Sequence, residues 1–390
     1  MSLRPPDLGL IDLATGFLLR NCGSDGQFVY RINLDPESTV KPKYNMLRHA
    51  GALYALAEAV PRDPDPARCD AVRRAARFLV DVAVAEVPES GDLLAVWSPP
   101  GLTRSKRPLQ AKLGGSGLGL LALTTLESAV PGSVPENVFA PLARFICFMQ
   151  KEDGSFYSKY VPEQGGRRDR WTSLYYPGEA ALGLVRLFER DGNSQWRDAA
   201  ARALAYLARS RAGDESVPAD HWALLATARL LEQTNGTDRS VERGVLIAHA
   251  VQVCESILRE QVWETDQPAF VGGFASDGRT TPTATRLEGM LAALTFLPDA
   301  DPELALRLRS SIDSAMGFLL PAILTDGPHA GGVPRAVMRF ADDDPRNVRS
   351  FNRRATEVRI DYVQHALSAM MQYERLFGGL PRVADHRRSA

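Results

Sequence analysis

The stretch YNMLRHAGALYALAEA, residues 44–59, decides the fold. From Leu53 onward it is an ordinary apolar helix. Its opening places Tyr44, Asn45, Arg48 and His49 within six residues. A half-exposed helix keeps its polar residues along one face. Here they gather at one end, as they would if the helix started at the rim of a hollow and then ran into packed protein.

The same habit recurs along the chain. DRWTSLYYPGEA brings Trp171, Tyr175, Tyr176 and Glu179 to a helix start, where Pro177 suits the first turn. PADHWALL brings Asp220, His221 and Trp222. TATRLEGML brings Arg286 and Glu288, and ATEVRIDYVQHAL brings Glu357, Arg359, Asp361, Gln364 and His365. KLGGSGLGL opens with glycines, whose N–H groups at a helix start can donate to anions or hydroxyl oxygens.

Apolar periodicity marks twelve helical segments: 7–20, 44–59, 67–86, 113–127, 134–150, 176–190, 195–211, 219–232, 239–261, 284–296, 302–324 and 357–376. The first, third and later odd segments carry a charged face, as in SQWRDAAARALAYLARSR. The even ones are small and apolar, as in GLGLLALTTL and EAALGLVRL. Even-to-odd connections are short. All but one of the odd-to-even connections exceed about twenty residues, the length of functional loops. Every long loop therefore delivers the chain to the start of an apolar helix. An inner ring of six helices inside an outer ring satisfies this pattern. The expected fold is all-α, an (α/α)6 barrel with long loops and short β-hairpins at one end. It is expected to span residues 1–378 as one domain, with a polar tail over 379–390. An open helical solenoid is the rival.

GSDGQFVY, KEDGSFYS and FVGGFASDG join glycine turns to aromatic residues, and AGGVPRAV is a weaker copy. They are either turns where a long loop doubles back, or a rim lined by Phe28, Phe156, Tyr157 and Phe274. Laying the inner helices over one another at Leu53, Leu120, Leu182, Leu224, Leu291 and Leu367 puts Ala50, Gly117, Glu179, His221, Glu288 and Gln364 at one level. Glu179 can simply meet the positive end of its helix. Glu288 lies among apolar residues, where a carboxylate is costly unless paired or used; Arg286 is one possible partner. Asp361 and His365, four residues apart, share a face and either orient a base or staple the helix.

The chain has 390 residues, 45% of them hydrophobic, and a net charge of −1. It has no basic block of the kind nucleic acid requires. No stretch reads as a signal peptide or membrane span. Cys22, Cys69, Cys147 and Cys254 form no C-x-x-C pair, which fits free thiols in a reducing cytoplasm. No metal spacing or nucleotide motif appears, so neither a metal nor a cofactor is expected. Oligomeric state is not legible.

YNMLRHAGALYAL and LYYPGEAALGL resemble the helix starts of carbohydrate-active toroids: (α/α)6 glycoside hydrolases, polysaccharide lyases, the N-acylglucosamine 2-epimerase type and the C-terminal domain of D-glucuronyl C5-epimerases. The resemblance is mainly architectural and covers nearly the whole chain. It implies sugar chemistry by Tyr44, His49, Tyr175, Tyr176, Glu179, His221, Glu288, Asp361 and His365. FICFMQKEDGSF is similar to the Gln-containing repeat of triterpene cyclases, but the D-x-D-D motif is absent and ADDDP at 341–345 is a different arrangement.

The expectation is a metal-independent hydrolase, epimerase or lyase acting on a sugar or uronate-containing glycan. Its catalytic candidates are Tyr176, Glu179, Glu288, His221, Asp361 and His365. Tyr44, Arg48, His49, Trp171, Tyr175, Trp222, Arg286 and Arg359 are its candidates for binding, the arginines for a carboxylate and the tryptophans for stacking on a pyranose ring. The alternatives are an isoprenoid cyclase, whose funnel would be aromatic with few charges, and a binding module without turnover.

Overall fold

The computed structural model describes residues 9–41, 43–104, 106–234, 241–341, 344 and 348–381. Six outer helices are α1 (Leu10–Arg20), α3 (Pro66–Ala83), α5 (Phe139–Phe148), α7 (Ser194–Arg211), α9 (Arg243–Glu260) and α11 (Pro302–Leu319). The inner six are α2 (Met46–Ala59), α4 (Leu113–Ala129), α6 (Tyr176–Asp191), α8 (His221–Glu232), α10 (Thr280–Ala293) and α12 (Ile360–Phe377). Each inner helix packs on the next, and α12 returns to pack on α2, so the ring is closed and not a solenoid. Every residue from Leu113 to Leu126 is buried, as the apolar run requires.

The segments 21–45, 84–112, 149–175, 212–220, 261–279 and 320–359 all enter inner helices at one end. Short strands tie them together. β1 (Arg31–Asn33) pairs antiparallel with β7 (Glu357–Arg359), joining the first loop to the last. β2 (Val84–Glu86) pairs with β3 (Leu94–Val96). β4 (Ala111–Lys112), β5 (Lys159–Val161) and β6 (Gly166–Arg168) form a three-stranded sheet. Residues 357–359 are therefore strand where helix was expected. Helix α10 starts at Thr280, four residues before the apolar period shows, because Thr280 bonds the carbonyls of Pro334 and Arg335.

The glycine turns have a structural role. Gly26, Gly154, Gly272 and Gly331 all have φ between 85° and 91°. An added Cβ would meet the carbonyl oxygen of Arg74, Arg202, Ser314 and Leu13 respectively, at 2.5 Å or less. Each turn thus presses backbone to backbone on an outer helix. Gln150 and Gln261 reinforce two of these contacts by donating to Ala199 O and Ser311 O at 2.9 and 3.0 Å. Phe28, Phe156 and Phe274 are buried beneath the loops and line no rim of the funnel. Gly26→Ala combines a positive φ with a 2.1 Å clash. It is expected to cost about 2–4 kcal/mol, read as a lowered urea midpoint. The ADDDP run and the polar tail fall largely outside the described residues.

Candidate active site

The first turns of five inner helices, with Leu118 of α4, surround a funnel of about 500 Å³. Of the residues aligned by sequence, Glu179, His221 and Gln364 line it, and close helix crossings bring that level together. Gly51 abuts Gln364, Gly117 abuts the backbone of Glu179, and Gly289 abuts His221. Glycines at these crossings let helix backbones approach where a Cβ would collide. This is also the role of Gly114 and Gly117, which fit α4 against Tyr176 and Glu179.

Two imidazoles hold the funnel floor. His221 opens α8, and its Nδ1 and Nε2 are both buried with no partner. His365, on α12, lies with its ring 5.3 Å from that of His221, edge to face. Its Nδ1 is 2.7 Å from Glu288 Oε2, and His221 Nε2 is 3.8 Å from the same oxygen. Burial holds His221 well below the ordinary imidazole range, with His365 and Arg286 adding to the effect, so it is neutral at pH 7. Burial raises Glu288, and His365 partly offsets it. With Nδ1–H donated to Glu288, the Nε2 lone pair of His365 is left for chemistry. One atom each of His221, Glu288 and His365 also falls within a 4.8 Å set that can hold a metal ion.

The other acids are committed elsewhere. Burial would raise Asp361, but Arg48 Nε at 3.0 Å and Arg359 Nε at 2.5 Å more than offset it and hold it below the usual carboxylate range. His365 therefore bonds Glu288 across helices and not Asp361 along its own. Glu179 is buried with Oε2 unpaired, and burial next to Asp220 pushes it up to about 8. It is protonated in the neutral folded protein. The unfolded chain ionises near 4.5, so Glu179 destabilises the fold progressively as pH rises from 4.5 to 8. Glu179→Gln is expected to equal wild type in stability near pH 4.5. Near pH 8 it should be more stable by on the order of 3 kcal/mol, read from denaturant melts at the two pH values.

Tyr175 and Trp222 complete the lower wall. The Trp222 ring is buried, 4.9 Å from His221, and offers no exposed stacking face. Arg286 lines the funnel but pairs with Glu260 at 2.6 Å and not with Glu288. Residues two apart on a helix point to different faces. Tyr44 and His49 lie behind the wall. Tyr44 Oη accepts from Phe28 N and reaches His49 Nδ1 at 2.8 Å, while His49 Nε2 donates to Ala75 O at 2.9 Å. These bonds staple α2 to α3 and the first loop. The opening stretch thus divides its polar residues: Asn45 caps α2 by accepting from Leu47 N, Tyr44 and His49 fasten it, and Arg48 faces the hollow. Trp171 and Tyr176 lie on an adjoining groove.

Three arginines of the funnel wall were not among the expected residues: Arg279, Arg335 and Arg354. All come from the loops, where no periodicity points at the bore. Arg279 pairs with Asp277 and Arg354 with Glu357. Arg335 has a buried Nη1 without a partner, and burial lowers its guanidinium. A further cavity of about 410 Å³ opens at the opposite end, around Tyr54, Glu58 and Arg229, without an imidazole in its wall.

No protein-family model and no curated protein sequence matches the chain. Solved structures do. D-mannose isomerase aligns with a TM-score of 0.63 at 14% identity, covering 96% of this chain and 100% of that one. Cellobiose 2-epimerase from Spirochaeta thermophila DSM 6192 gives 0.62 at 15%, covering 94% and 95%. The α-1,6-mannanase of Salegentibacter sp. HEL1_6 gives 0.59 at 10%, covering 94% and 98%. The chain is an (α/α)6 toroid. At such identities the likeness establishes the fold alone. Among the toroid's described residues, no helix is long and apolar enough to cross a membrane.

Proposed function

We propose that the toroid is a sugar epimerase or isomerase, working by proton transfer between His221, His365 and a sugar carbon next to a carbonyl. The observation that carries this reading is the imidazole pair itself. One ring is neutral with both nitrogens unpaired, and the other is oriented by a carboxylate at 2.7 Å. A base takes the acidic proton α to the carbonyl of an open-chain sugar, giving an enediolate. The second imidazole returns a proton, to the opposite face for epimerisation or to the neighbouring carbon for isomerisation. Glu288 holds His365 in the tautomer with Nε2 unprotonated. Arg48 and Arg359, fixed by Asp361, face the hollow where an oxygen of the sugar can be bound.

Glycoside hydrolysis is less well supported. It needs two carboxyl groups free to flank a glycosidic bond. Here Glu288 is bonded to His365, Asp361 is clamped by two arginines, and Glu179 is buried in a helix crossing. An isoprenoid cyclase is disfavoured by the six arginines of the funnel wall. Tyr176 keeps its proton at neutral pH, since burial and Glu179 raise its hydroxyl, so its phenolate is not available as the base.

The test is incubation with a panel of aldoses and reducing disaccharides in D₂O, followed by NMR. The expected result is deuterium at the carbon α to the carbonyl, with appearance of the epimer or ketose and no change after dialysis against a chelator. New reducing ends without deuterium exchange would replace this reading by hydrolysis, and activity lost to the chelator would replace it by metal chemistry.

A further inference from the structure

Beside the funnel runs a groove of about 640 Å³ under the sheet β4–β5–β6. Its wall contains Arg107, Lys112, Lys159, Arg168 and Arg170 and no acidic residue. The sheet register explains why the cations converge. Lys112 is directly opposite Lys159, and Lys159 is directly opposite Arg168. Three cations thus stand in one row across three strands, roughly 10 Å end to end. Like charges in directly opposed positions destabilise a sheet. A protein surface ordinarily intersperses such positions with carboxylates. Among the described residues neither Lys112 nor Lys159 pairs with one; Lys159 instead lies 4.6 Å over the Trp171 ring. Burial, then the repulsion of Lys159, Arg107 and Arg48, pushes the half-buried Lys112 ammonium below its usual range. Among the described residues no carboxylate offsets the cost of assembling this row.

The imbalance is local. The chain as a whole has a net charge of −1. The cavity at the opposite end sets Glu58, Glu232 and Asp299 against Arg229, Arg243 and Arg375. The groove also adjoins the funnel directly: Tyr176 in its wall follows Tyr175 in the funnel wall, and Glu179 lies one turn further along α6. Trp171, 53% exposed, offers an aromatic face at the groove edge.

We propose that the groove is a second subsite, in which the Lys112–Lys159–Arg168 row binds the charged unit of an anionic oligosaccharide, uronate or sulfated, whose reacting sugar occupies the funnel. The row matches a chain bearing negative groups along its length, and Trp171 supplies a stacking face for a ring of that chain. The occupancy of the funnel rests on the epimerase or isomerase reading. Binding in the groove does not.

The experiment measures affinity of the full chain for oligogalacturonate, chondroitin sulfate and heparan sulfate tetrasaccharides, with neutral cellotetraose and a single-stranded oligonucleotide as references. At least one anionic tetrasaccharide is expected to bind about tenfold or more tighter than cellotetraose, with affinity falling as salt rises. Which one binds separates uronate from sulfate recognition. The double variant Lys112→Gln, Lys159→Gln should lose that preference, while Lys159→Arg, which keeps the charge, should retain it. Arg168→Gln gives a second measure should the double variant fold poorly. Equal binding of neutral and anionic chains, undiminished binding in the charge-removing variants, or tighter binding of the oligonucleotide than of every glycan would overturn the proposal. His221→Ala should bind the anionic chains as wild type does. Charge-dependent binding without any turnover would therefore remove only the proposed chemistry, and turnover without charge preference only the subsite.

Discussion

His221→Ala is expected to lower kcat by about 10²–10⁴-fold, the usual contribution of a positioned acid or base, with KM little changed. The His221 ring makes no hydrogen bond, so its removal breaks no network. Substrate contacts made by the arginines survive. His365→Ala should have an effect of the same order. The double variant should be scarcely worse than either single one, because two groups acting in one proton-transfer sequence are not additive. The pH profile supplies an independent check. Burial depresses the basicity of His221, so the acid limb of kcat/KM should lie below pH 6.5. Glu288→Gln should leave the fold in place, reduce kcat and move that profile, since the amide can no longer hold the His365 Nδ1 proton as a carboxylate does. Steady-state kinetics on an epimerised sugar across pH 4–9 reads all of these. Wild-type kcat in either histidine variant would remove the proposed chemistry.

The largest effect on stability is expected at Asp220. Its carboxylate is fully buried, caps α8 by accepting from Ala223 N at 3.2 Å, and pairs with Arg211 at 3.0 Å. Burial raises it, and Arg211 partly offsets that. Arg211 also reaches His249 Nε2 at 3.1 Å, and His249 is held neutral by burial, its pKa lowered to about 4. Asp220→Ala therefore strands a buried guanidinium whose remaining neighbour carries no charge. Breaking a buried pair in this way costs about 3–5 kcal/mol, and the lost cap adds about 1 kcal/mol. Asp220→Asn keeps a single oxygen, enough for the cap or for Arg211 but not for both, and should lose less than the alanine variant. Because Asp220 directly precedes His221, the alanine variant should also lose activity at temperatures where it remains folded. Thermal and urea unfolding of the three proteins decide the matter, and an alanine variant within about 1 kcal/mol of wild type would show that the pair is not a structural keystone.

The sequence made the double ring legible because two signals agree. Helix amphipathicity separates the outer from the inner helices, and the long loops all feed the inner ones. What it hid was local. The Thr280 turn of α10 is built from Thr-Thr-Pro, which carries no apolar period, and β7 exists only because β1, far away in sequence, pairs with it. Much of the funnel was legible as a level in the helix alignment, since Glu179, His221 and Gln364 line it and Glu288 lies beneath it. His49 follows Arg48 in the first turn of α2 and Tyr44 precedes its cap, yet successive helix positions differ by about 100°. Only Arg48 of the three faces the hollow, and the other two reach the outer ring. The pairing of Glu288 with His365 crosses between helices, and the arginines of the upper wall arrive on loops. Neither leaves a trace in spacing along the chain. The sheet register that lines up Lys112, Lys159 and Arg168 was hidden for the same reason.

The reacting carbon of a sugar is proposed to sit in the funnel against the His221–His365 pair. A crystal structure of the protein soaked with an open-chain alditol, which mimics the linear sugar and cannot react, tests it most directly. The account predicts alditol carbons within contact distance of both imidazoles, with hydroxyls toward Arg48 and Arg359. An alditol bound only in the cavity near Tyr54 and Arg229, or a funnel left empty at saturating concentration, would contradict it.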